Sequence, residues 1–221
     1  MRLAFRSLVI SAVVASSVFT GCKSPKDQTG TLKTAINNYY NQWPECLWKD
    51  PIQLPQQHAQ DDTDAIRPFD TLVDQGLLTR TPVEKTKLLI IKKVANSYDL
   101  TDKGRANWTT DANNPGYGNF CYAHRKVKDI LSNTPSGTQP GATTVVNYTY
   151  TLGDVKDWAQ ANETKNAFPE LATALAATNQ ATTTLVLTND GWKVQAGTRP
   201  VFHPTPASKA AATAADSSVV Q

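Results

Sequence analysis

Two runs in the second half of the chain leave it little conformational choice: TTVVNYTYTL, residues 143–152, and TTTLVLT-NDG-WKVQ, residues 182–195. Their β-branched and aromatic side chains are stiff at χ1 and fit a pleated surface better than a helix. In the first run Val146, Tyr148, Tyr150 and Leu152 recur at every second position, so all four are expected to face inward. In the second, Asn189-Asp190-Gly191 is the turn chemistry that closes a β-hairpin. A third strand is predicted in NFCYAHRKVKDILS, residues 119–132, where Cys121, Ala123, Val127 and Leu131 share one parity. Phe120, Tyr122, His124, Lys126 and Lys128 share the other, a wetter face beyond its first two members. Between these β segments, Gly153-Asp154 is read as opening a helix that aligns Val155, Trp158 and Ala159. FPELATALAATNQ supplies another, with Pro169 at its start.

The first half follows a different period. TLKTAINNYYNQW, residues 31–43, places Leu32, Ala35, Ile36, Tyr39 and Tyr40 on one helical face, and Pro44 ends the run. A polar loop with Pro51, Pro55 and the acids Asp61, Asp62 and Asp64 comes next. The acids lack the order of a calcium loop, and Asp64 is expected to cap a helix that carries Ile66, Phe69, Val73 and Leu77. After LVDQGLL and an apolar stretch, Leu100-Thr101-Asp102-Lys103-Gly104-Arg105 resembles the turn that follows the wing of winged-helix domains, over residues 66–108. A DNA-binding relative would need basic or amide residues on the preceding helix. That helix offers Arg67 and Gln75 beside Asp70 and Asp74, so no nucleic-acid partner is expected. The nearby lysines are read as a solvated face. The expected fold class is therefore α+β: N-terminal helices with a winged-helix-like segment, then an antiparallel sheet of about four strands packed with helices. That order is also compatible with a cystatin- or NTF2-like sheet wrapped on a helix.

The extreme N-terminus has a separate logic. MRLAFRS carries Arg2 and Arg6 and no acid, and is followed by the apolar LVISAVVASSVF. Twelve residues are too few for a permanent bilayer span, which needs about 20, but suit a secretory signal. Phe19-Thr20-Gly21-Cys22 resembles the lipobox of bacterial lipoproteins, with Phe19 in place of the usual aliphatic residue. The resemblance implies a signal peptide over 1–21, lipid attachment at Cys22, and a cell-envelope location. Lys23 after the cysteine favours the outer over the inner membrane. Residues 22–30 read as a polar tether, 31–202 as the globular domain, divisible into 31–112 and 113–202, and 203–221 as a disordered tail. Loss of Arg2 and Arg6 leaves 20 basic against 19 acidic residues, too even a balance for a polyanion binder.

Export leaves Cys46 and Cys121 in an oxidising compartment, where a disulfide between them is expected. No nucleophile motif, glycine-rich phosphate loop or metal-ligand spacing occurs, so neither a catalytic residue, a metal nor a cofactor is nominated. The expected role is a non-enzymatic interaction or accessory module, held to the membrane by lipid and facing an envelope partner. The alternative is a small-molecule or saccharide binder using an aromatic cleft of Tyr148, Tyr150 and Trp192. Two or more acyl chains hold a protein on a membrane almost permanently. Cys22→Ser is therefore expected to move the protein from the membrane pellet to the soluble fraction; unchanged sedimentation would remove the tether.

Overall fold

The computed structural model describes residues 25–87, 91–176, 178–195 and 204. The signal segment, Cys22 and all of the expected tail but Pro204 lie outside them. In chain order the elements are α1 (Pro25–Gln42), β1 (Glu45–Cys46), β2 (Ile52–Gln53), β3 (Gln56–Ala59), α2 (Thr63–Asp74), β4 (Leu78–Lys87), β5 (Ile91–Leu100), α3 (Asp102–Asn107), β6 (Trp108–Thr110), β7 (Tyr117–Asn133), β8 (Thr143–Gly153), α4 (Asp157–Gln160), α5 (Asn162–Ala167), α6 (Pro169–Ala176), β9 (Asn179–Thr188) and β10 (Gly191–Val194). The architecture is mixed α+β with antiparallel pairing. It has more strands than the four expected: seven in one sheet and three in another. None of the described helices is long and apolar enough to cross a membrane.

The larger sheet runs β1-β7-β8-β9-β10, with β2 and β6 also paired to β7. Its inner face receives α1. Leu32, Ala35, Ile36 and Tyr40 from the helix meet Val127, Val146, Tyr148 and Leu185 from the strands, all buried, with Trp192 and Val194 packed at the margin. Each such aliphatic side chain contributes about 1.5–3 kcal/mol on burial. The alternation of β8 is realised: Thr144, Val146 and Tyr148 are buried, and Val145 between them is exposed. α1 begins at Pro25, so residues 25–30, read from composition as tether, are its first turns.

Along β7 the simple alternation expected from sequence breaks. Val127 pairs Tyr150 but Asp129 pairs Thr149, and Ile130 pairs Tyr148 but Ser132 pairs Asn147. Two extra residues, Lys128 and Leu131, are thus bulged out of register, and each bulge changes which parity faces inward. Ile130 packs on the core, while Leu131, expected inside with Val127, is 54% exposed. Side chains take up backbone groups around the first bulge. Lys33 Nζ donates to the Lys128 carbonyl at 2.8 Å, and Val127 N donates to Asn37 Oδ1 at 2.9 Å.

The smaller sheet runs β3-β5-β4, beside α2. The helix cap is Asp62, whose Oδ1 accepts from Ala65 N at 3.1 Å; Asp64, the residue expected to cap, pairs instead with Arg67 at 2.6 Å. α2 ends with Gly76 at φ +70°, Gly76 N bonding to Val73 O and Leu77 N to Leu72 O, the paired bonds of a Schellman motif. The string Leu100 to Arg105 completes this end. Thr101 Oγ1 donates to Gly76 O at 2.7 Å and accepts from Gly104 N at 2.8 Å, and Lys103 Nζ donates to Gln75 O at 2.7 Å. Phe69, Leu72, Leu77, Leu78 and Tyr98 from this side then join Phe120, Tyr122, Trp158 and Leu171 in the first core. The helix expected at Gly153-Asp154 starts later, at Asp157. β8 continues through Gly153, and Asp154 takes φ +56° in the turn between them.

Gly104 lies against the end of α2, where a Cβ would stand 1.9 Å from the Leu77 carbonyl oxygen. Gly104→Ala is expected to cost about 2–4 kcal/mol by forcing α3 off that carbonyl, measured as a lower denaturant midpoint with unchanged slope.

Candidate functional site

β1 is only two residues long, and its position is held covalently. Cys46 lies opposite Cys121 in the β1–β7 register and is bonded to it, the pairing expected from the compartment. The neighbouring Glu45 is thereby set against Ala123, two residues from Arg125. Arg125 Nε donates to Glu45 Oε1 at 2.5 Å, with both side chains about four-fifths buried. The guanidinium also lies 4.6 Å from the ring centroids of both Tyr40 and Tyr150, and Nη1 donates to the Tyr40 hydroxyl at 3.3 Å. Burial alone would lower the Arg125 pKa; the hydrogen bond and charge of Glu45 more than offset it, and the group is held cationic.

Beside this pair a cleft of about 490 Å³ opens between β1, β7 and β8 on one side and the start of α6 on the other. Glu45, Leu47, Tyr122, Arg125 and Tyr150 form the strand side; Ala167, Phe168, Pro169, Glu170, Leu171 and Ala174 form the helix side. Pro169 opens α6, as its position in the sequence implied, and Glu170 occupies the first turn, where a carboxylate suits the helix dipole. Tyr122 is 95% buried, being 5% exposed. Its phenol is pushed well above the usual tyrosine range, first by burial and then by the charge of Glu45. Tyr150 is raised too, chiefly by burial, which Arg125 opposes. A second concavity of about 480 Å³, lined by Thr151, Leu152, Val155, Gln160, Lys165, Leu175, Ala176 and Thr178, has no aromatic side chain on its wall.

Of the three aromatics expected to line a cleft, only Tyr150 does so. Tyr148 is fully buried in the second core, its hydroxyl donating to that of Tyr40 at 3.3 Å. Trp192 is half-buried against the same core, away from the cleft lining. The charged and aromatic lining residues Glu45, Tyr122, Arg125 and Phe168 were not nominated from sequence. Glu170 was not nominated either. They converge from segments that are far apart in the chain, and the only local hint was a charged residue, Arg125, following a buried run. His124 Nδ1 lies 3.0 Å from the Tyr40 carbonyl oxygen, its one hydrogen bond among the described residues. No group of three or more His, Cys, Asp or Glu suited to a metal ion occurs among the described residues.

Four of the seven tyrosines are held neutral above the ordinary value of 10.0. Burial is the largest cause at Tyr98, Tyr122, Tyr148 and Tyr150, supplemented at Tyr98 by its hydrogen bond to Asp70 and at Tyr148 by that to Tyr40. Above about pH 10 the unfolded chain therefore binds fewer protons than the folded one, so stability is intact below that pH and falls as pH rises. Absorbance at 295 nm is expected to show these four phenols ionising only as near-ultraviolet dichroism is lost. Their titration near pH 10 in a folded protein would contradict the burial described.

No protein-family model, curated protein or solved structure matches the chain.

Proposed function

We propose that this is a lipid-tethered protein of a bacterial cell envelope, placed on the outer membrane, whose domain binds a small molecule in the cleft beside Tyr122 and Tyr150. The observation that carries the reading is that cleft: a concavity of about 490 Å³ with aromatic side chains on both walls and a few polar groups among them. Its size and mixed lining match the usual build of small-ligand sites. The tether rests on the lipobox resemblance at Phe19 to Cys22, and α1 would then start three residues beyond the acylated cysteine. A second reading, an accessory module offered to an envelope partner, has in its favour exposed Leu131 and Val145 on the paired ends of β7 and β8.

A winged-helix-like role with nucleic acid is not proposed. α2 precedes the β4–β5 hairpin as a helix precedes a wing, but its Arg67 is paired to Asp64, and Arg80 of the hairpin to Asp70. A carboxylate beside each of these two cations weakens what it offers to a phosphate backbone.

Ala174 faces the cleft from α6 without belonging to either core. Ala174→Trp is expected to fill the space while leaving the fold intact by circular dichroism. Small molecules that raise the melting temperature of the full-length protein should then lose that effect in the variant. A shift that survives the substitution would place binding elsewhere, and the reading would fail.

A further inference from the structure

The chemistry of the cleft narrows its ligand, an inference that rests on the cleft being a binding site. Three charged side chains line it: Glu45, Arg125 and Glu170. Arg125 is paired with Glu45 through Nε, and its guanidinium lies 4.6 Å from the ring centroids of both Tyr40 and Tyr150. The charges of Glu45 and Arg125 cancel, so the lining presents an incoming anion with one uncompensated carboxylate. That carboxylate is Glu170, which is exposed and has no hydrogen bond or ion pair among the described residues. A lone acid on a helix is ordinary surface, but a second observation points the same way. Tyr122 is more than nine-tenths buried and lines the same cleft, and its hydroxyl has no hydrogen-bond partner among the described residues. Its phenol oxygen therefore keeps donor and acceptor capacity that a group seated in the cleft could use. Phe168 and Tyr150 add aromatic surface, which attracts cations and packs against apolar groups.

We propose that the cleft binds a small organic cation, a primary amine on a compact apolar or aromatic body. Its ammonium donates to the Glu170 carboxylate and the Tyr122 oxygen, and its body packs against Phe168 and Tyr150. The Glu45–Arg125 pair is a positioning element, holding the Tyr150 ring and the strand wall in place. One uncompensated negative charge sets the preference for a cation over neutral and anionic molecules of the same shape. A volume of about 490 Å³ lies within the usual range of small-molecule sites and has room for such a body.

The test is calorimetric titration of the full-length protein with three probes of matched shape: 2-phenylethylamine, 2-phenylethanol and 3-phenylpropionate. The amine is expected to bind at least about tenfold more tightly than the alcohol, the size of effect a charge-assisted hydrogen bond gives, and the propionate more weakly still. Glu170→Gln should bring the amine-to-alcohol ratio close to one, and Tyr122→Phe should weaken the amine several-fold with unchanged dichroism. Added salt should weaken the amine and leave the alcohol unaffected. If the alcohol or propionate binds as tightly as the amine, or if Glu170→Gln keeps the preference, the cation assignment is overturned while the cleft remains a binding site. If none of the three binds at millimolar concentration, the assignment is likewise overturned. The binding reading then falls with it only if no other compound gives a melting shift that Ala174→Trp abolishes.

Discussion

Seventeen consecutive residues in one strand cannot keep a single face inward when the bodies on either side of it differ, and β7 is such a strand. From Gly118 to Ala123 every residue is buried, because this stretch is paired with β1, β2 and β6 while the first core packs against Phe120 and Tyr122. Beyond Arg125 the strand belongs to the second core, where α1 covers one face only. The bulges at Lys128 and Leu131 lie in this second part. They bend and twist the strand so that the sheet can curl about a helix, and the displaced backbone groups are met from α1 by Lys33 and Asn37. The two cores are thus set against each other by a single chain segment, and the cleft lies close to where that segment passes from one to the other.

A charge at that junction needs a fixed partner. Removing one member of a largely buried ion pair strands the other in a poor solvent, which is commonly far more costly than losing a surface pair. Glu45 comes from a two-residue strand that hydrogen bonding alone would hold weakly, and the Cys46–Cys121 bond compensates. With the cysteines 75 positions apart, the bond restricts the unfolded chain by about 4 kcal/mol in the loop-entropy account. It also fixes the β1 register and keeps Glu45 within hydrogen-bond reach of Arg125.

The parts of the fold readable from the sequence are those in which a local period and a tertiary face agree. The stripe Leu32, Ala35, Ile36, Tyr40 is helical in period and buried in fact, and Val146 with Tyr148 alternates as a half-buried strand must. Leu131 was misread because a bulge leaves no mark on period: one inserted residue is invisible until the partner strand is known. Asp64 was misread as a cap because three acids within four positions were equally able to serve. Which one caps depends on where the preceding strand, β3, releases the chain. The cleft was legible at one residue, Tyr150. Tyr122 and Arg125 sit in the strand NFCYAHRKV, but what they face is decided by Glu45 and Glu170, which lie 77 positions before and 48 after Tyr122. Aromaticity alone could not separate Tyr150, at the rim, from Tyr148, two residues earlier and wholly enclosed.

The string Leu100 to Arg105 shows how much a short resemblance carries. Its threonine caps α3 and also closes the open carbonyls at the end of α2; its lysine reaches a third carbonyl of that same end; its glycine lets the backbone approach to a distance no side chain would permit. Each residue answers the need to dock one helix start on another helix end, a need that arises in folds of any purpose. A helix that stops at a Schellman glycine and must be met by a returning strand will favour this sequence whether or not it ever touches DNA. The likeness is therefore a likeness of joints. The cleft proposed as the binding site lies apart from that joint, on the wall shared by Tyr122 and Glu170.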